Sequence, residues 1–91
     1  MSEWAVSLEA SHGAGAGDET LESIHDALDG DPVALMPVVG FRVPLPIITA
    51  RIQVEAESTE EAEDIARASF ERALAAAGVN TTCNVSSVEA V

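Results

Sequence analysis

One cysteine, Cys83, and two histidines, His12 and His25, are the side chains of this sequence best suited to nucleophilic or metal chemistry. A thiolate beside an imidazole forms a nucleophilic dyad, and the strand order derived below brings His12, ending the first strand, next to Cys83, opening the last. Nothing in the sequence supplies an orienting third residue or an oxyanion site. A lone cysteine on a terminal strand reads instead as a small, partly buried hydrophobe. No two of His12, His25 and Cys83 have the short spacing of a zinc site, and His25 sits at the margin of a helical apolar stripe, as a partly exposed side chain does. The run Gly13-Ala14-Gly15-Ala16-Gly17 lies between a strand and a helix, where backbone amides cradle phosphates. Its third glycine comes one residue too early for G-x-G-x-x-G, and Asp18, Glu19 and Glu22 put carboxylates where a phosphate would sit. The loop reads as a hinge, with a small-ligand regulatory role as the alternative. No catalytic, cofactor or metal residues are expected, and the chain is read as a non-enzyme.

Composition narrows the partners. The 91 residues hold sixteen Asp and Glu against four Arg and no Lys, a formal charge of -12 on a chain that is 47% apolar. Phosphate backbones are bound by clustered cations, and Arg42, Arg51, Arg67 and Arg72 are scattered, which argues against direct nucleic-acid binding and against an anionic membrane surface. The longest apolar stretch, 33–39, is broken by Pro37 and falls far short of the ~20 residues that span a bilayer. The single cysteine and an N-terminus without signal-peptide features point to a cytoplasmic protein. The apolar fraction is too high for disorder, and the length fits one domain over 1–91.

The elements that position these residues follow from periodicity. Trp4, Val6 and Leu8 alternate with polar neighbours, predicting a first strand with one buried face. Leu21, Ile24 and Leu28 recur at the helical period between Asp18 and the stop at Gly30, predicting a helix over 19–29. Asp31-Pro32 turns the chain into a short second strand, 33–36. The stretch Pro37–Pro46 keeps apolar residues while its prolines remove ladder donors, and it reads as a connection. Ile48, Ala50, Ile52, Val54 and Ala56 alternate in the most regular strand of the chain. Ser58-Thr59-Glu60-Glu61 fits a capping box opening a helix whose buried stripe is Ala62, Ile65, Ala66, Ser69, Phe70, Ala73 and Ala77, ended by Gly78. A last strand covers 79–91, and its inward parity shifts at Ser86-Ser87, predicting a bulge. The order β-α-β-β-α-β folds most simply as an α+β, ferredoxin-like domain: a four-stranded antiparallel sheet in the order 4-1-3-2 with two helices on one face.

The stretch from Arg51 to Gly78, with Val54-Glu55-Ala56 leading into Ser58-Thr59-Glu60-Glu61-Ala62 and an Ala-rich helix, resembles small actinobacterial and actinophage proteins without an assigned activity. The resemblance covers about a third of the chain. It implies the fold and a phage-related origin, and no activity.

Two surfaces stand out. Phe41, Val43 and Leu45 lie in the proline-flanked connection, either as an exposed apolar contact patch or as a loop folded over the core. The uncovered sheet face, with Ala5, Ser7, Thr49 and Gln53, suits packing against a copy of itself. The expected function is therefore protein binding, as a homo-oligomer or accessory subunit, with Phe41, Val43 and Leu45 as contact residues. One alternative is an acidic DNA mimic that inhibits a nucleic-acid-binding protein, presenting helix acids at 19, 22, 26 and 29 and at 60, 61, 63, 64 and 71.

Overall fold

Alternation dictates the sheet. In the computed structural model, which describes residues 2–11, 18–42, 47–79, 81 and 83–91, the order is β1 (Ser2–Ser11), α1 (Asp18–Asp29), β2 (Leu35–Arg42), β3 (Ile47–Ala56), α2 (Thr59–Ala76) and β4 (Cys83–Ala90). The strands form one antiparallel sheet, β2-β3-β1-β4, and the fold is the ferredoxin-like α+β arrangement. Ile48, Ala50, Ile52, Val54 and Ala56 of β3 and Val6, Leu8 and Ala10 of β1 point from the sheet into a core shared with Ile24 and Leu28 of α1 and Phe70 and Leu74 of α2. Phe70 is fully buried, and truncating such a side chain to alanine costs about 3–5 kcal/mol. His12, the Gly13–Gly17 loop, Val43 and Leu45 lie outside the described residues.

Local chemistry sets the boundaries of α2. Ser58 is its N-cap and accepts from the Glu61 amide at 3.2 Å. At the other end Gly78 has φ +80, the Val79 amide donates to the Leu74 carbonyl at 2.8 Å, and the Gly78 amide donates to the Ala75 carbonyl at 3.0 Å. This is a Schellman closure, which requires a left-handed residue that glycine adopts without strain. Leu74 is buried where the alanine-centred stripe omits it, whereas Ile65 and Ala77 are half-buried. Helical period explains Leu74, which follows Ala62, Ala66 and Phe70 at steps of four, and it and Val79 are buried in the same core cluster at this closure.

Both edge strands carry a one-residue bulge. On β4, Ser7 pairs with Ser87 and Leu8 with Val85, which leaves Ser86 as the extra residue, as the parity shift predicts. Its hydroxyl donates to the Ser7 carbonyl at 3.1 Å. On β2, Leu35 pairs with Gln53 and Val38 with Arg51, so three steps oppose two and Met36-Pro37 form the irregularity. The sequence reading of a 33–36 strand followed by a connection is corrected here. The strand runs to Arg42, and Phe41 is a strand residue opposite Ile48, half-buried against the core. Proline is tolerated because β2 is an edge with ladder bonds on one side only, and the bulge takes Pro37 out of the pairing.

Candidate functional site

Of the residues singled out for chemistry, Cys83 and His25 are among those described. Cys83 is buried, with its sulfur 4.0 Å from the Arg67 carbonyl and 4.0 Å from Glu71 Oε1. Burial, reinforced by the Glu71 carboxylate and only partly opposed by Arg67, pushes its thiol above its ordinary value. A thiol held protonated is a poor nucleophile. His25 is exposed on α1. Among the described residues no group of three His, Cys, Asp or Glu is placed to hold a metal ion.

The most connected polar group is Asp31, in the turn between α1 and β2. Its Oδ2 accepts from the buried Ser69 hydroxyl and from Arg72 Nη2, both at 2.8 Å, while Oδ1 accepts from the Val33 amide at 3.1 Å. The Ala34 amide donates to the Asp31 carbonyl at 3.1 Å. The Arg72 contact, aided by Ser69 and the Val33 amide and opposed by desolvation, holds the Asp31 carboxyl below its ordinary value. Asp31 thus ties the turn to α2 and fixes where the chain enters β2.

What it fixes is an apolar edge. Val33, Met36 and Val38 are 42%, 74% and 61% exposed. Met36 has φ 47, the left-handed region, where a β-carbon crowds the backbone at about 1–2 kcal/mol. It also precedes proline, which restricts it further. Beside it lies a notch of about 260 Å³, lined by Pro32, Val33, Leu35, Glu55 and Ile65. The notch exists because β2 starts opposite Gln53 while β3 runs on to Ala56.

Charge singles out the same edge. All sixteen acids fall within 3–31 and 55–89, so residues 32–54 hold none of them and two of the four arginines, Arg42 and Arg51. Asp31, at the border of this stretch, is paired with Arg72. The open sheet face is different: cross-strand register puts Glu3, Glu9, Glu55 and Glu89 on it beside Arg51, with Glu3 directly opposite Glu55. A hollow of about 560 Å³ lies there, bordered by Ser7, Glu9, Val38, Thr49, Arg51 and Ser87. Gly40 keeps it open, since a β-carbon there would come 3.0 Å from Thr49 Oγ1. Stacking two such faces would oppose carboxylates to carboxylates.

No family model, no curated protein and no solved structure matches the chain. The geometry therefore carries the functional argument. Of the expected contact residues, Phe41 is a half-buried strand residue; Val33, Met36 and Val38 are the exposed apolar residues that the sequence reading leaves out, Val38 standing opposite Arg51 at the margin of the open sheet face. Hydropathy cannot reveal them, because the bulge changes which residues face outward; the signal that can is charge counted by position.

Proposed function

We propose that this protein works by binding protein through its β2 edge, without catalysis of its own. The observation that carries the reading is Met36, an unbranched apolar side chain 74% exposed on a left-handed backbone between two exposed valines. Strain of this kind persists where surrounding structure enforces it and clusters at functional sites. Methionine, flexible and polarisable, is favoured on binding surfaces. Among the described residues no helix is long and apolar enough to cross a membrane. The test is capture on immobilised protein, with the bound species identified by mass spectrometry. A protein retained by wild type and by Asn84→Ala, and lost with Met36→Ser/Val38→Ser, supports the reading. Equal retention by all three contradicts it.

A second reading rests on the helix layer. Glu19, Glu22, Asp26 and Asp29 of α1 and Glu60, Glu61, Asp64 and Glu71 of α2 are all exposed, on helices that pack against each other. A surface of this density suits a basic, nucleic-acid-binding protein, which the acids would engage as a mimic of DNA. Salt separates the readings: attraction between opposite charges weakens as salt screens it, whereas an apolar contact between acidic bodies does not.

A further inference from the structure

We infer that the partner of the β2 edge is a second copy of this chain, with Met36 of each protomer seated in the apolar notch of the other. This rests on the protein-binding reading and names its partner. A projecting side chain and a mostly apolar recess sit next to each other in the chain: Met36 follows Leu35, which lines the notch with Pro32, Val33, Ile65 and Glu55. A surface carrying both is self-complementary, and a two-fold axis fills both recesses at once and closes the assembly at two. The notch, at about 260 Å³, has room for an unbranched thioether side chain, which adapts to irregular apolar space.

Charge bears on where a second copy can approach. Two bodies of formal charge -12 repel, and they approach most easily along their longest acid-free run. That run is 32–54, whose described part holds β2 and most of β3; Arg51 of β3 looks onto the open sheet face, Glu55 lines the notch itself, and Asp31 is already paired with Arg72. A face-to-face dimer through the open sheet would instead bring Glu3, Glu9, Glu55 and Glu89 of both copies together. Nor do the two β2 strands merge into one sheet, because Pro37 lacks an N–H and the bulge distorts the edge. The contact is made by side chains. A strip of this length is about 26 Å long at the strand rise, which places the dimer at the small, weak end of specific interfaces.

Sedimentation equilibrium over a wide protein concentration range tests this, at low salt and at a few hundred millimolar NaCl, with wild type, Met36→Ala and Asn84→Ala. Both side chains are exposed, and circular dichroism verifies the fold of each variant. Wild type and Asn84→Ala are expected to follow a monomer–dimer equilibrium that tightens with salt, and Met36→Ala to weaken it by at least about tenfold. A wild type that stays monomeric at millimolar concentration overturns the inference, as does a ladder of species beyond the dimer, the mark of a head-to-tail contact. If wild type is monomeric but still captures a different protein in a Met36-dependent way, the second copy is excluded and the protein-binding reading stands. A dimer indifferent to Met36 overturns the inference, and the protein-binding reading falls with it where capture of other proteins is equally indifferent to Met36.

Discussion

The two edges of this sheet solve the same problem in opposite ways. Each strand, β2 and β4, carries a one-residue bulge that spoils its outer edge for strand addition. On β4 the extra residue is Ser86, whose hydroxyl is spent on the Ser7 carbonyl, and its exposed neighbours are Asn84, Ser87, Glu89 and Ala90, with Val91 exposed just past the end of the strand. On β2 the irregularity holds Met36 outward at positive φ, between the exposed Val33 and Val38. Net charge alone does not separate them, since β4 carries only one acid, Glu89. The difference lies in what the bulge displays: β4 presents polar groups to water, whereas β2 presents an apolar row that water does not favour. An edge closed to strand pairing and yet apolar is suited to contact through side chains.

Six substitutions break or sharpen that contrast. The largest effect is expected at the anchor of the β2 edge. Asp31→Ala leaves the buried Ser69 hydroxyl and Arg72 without their acceptor, a loss of about 1–3 kcal/mol, measured by urea unfolding at neutral pH. Because the folded carboxyl is held below its ordinary value near 3.8, its contribution is complete above that value and fades as pH falls through the lowered one. The gap between wild type and Asp31→Ala should therefore be constant from pH 7 down to about pH 5 and narrow in stronger acid.

Next in size is an acid placed on each edge. Val38→Asp should weaken self-association by about tenfold, equivalent to about 1.4 kcal/mol, and Asn84→Asp should leave it unchanged, as read by light scattering on size-exclusion peaks. Both positions are exposed, so melting temperatures should barely move.

The bulges themselves should respond with opposite signs. Met36→Gly relieves a left-handed side chain and should stabilise the fold by about 1 kcal/mol while weakening association. Ser86→Ala removes the bond to Ser7 and should destabilise by about 0.5–1.5 kcal/mol while association is unaffected. Denaturant midpoints measured at dilute protein concentration check both. The smallest effect concerns the open face: Glu3→Gln removes a like-charge cross-strand partner of Glu55 and should stabilise by about 0.5 kcal/mol, an increment that shrinks in salt.

Much of the fold is legible in the residues. Strand alternation in Ile48 to Ala56, the Ser58 cap, the Gly78 stop and the parity shift at Ser86 each act locally, so their signals survive in the sequence. The course of β2 is not legible, because Pro37 reads as a breaker unless the strand is known to be an edge, which is a property of the whole sheet. The contact surface is hidden for the same reason. Phe41 belongs to an apolar run whether it faces in or out, and only pairing with Ile48 turns it inward. Conversely, nothing local distinguishes Met36 from a core methionine; its exposure follows from the bulge. The acid-free run 32–54 is the part of the site that sequence alone displays.

The central claim, that the β2 edge is where this protein meets a second copy of itself, is tested most directly by backbone amide chemical shifts recorded as the protein's own concentration rises. The account predicts concentration-dependent shifts at Val33, Leu35, Met36, Val38 and Ile65, with Asn84 to Ala90 unmoved. Shifts confined to β4 or to the acidic faces of α1 and α2, or no shifts at all, would contradict it.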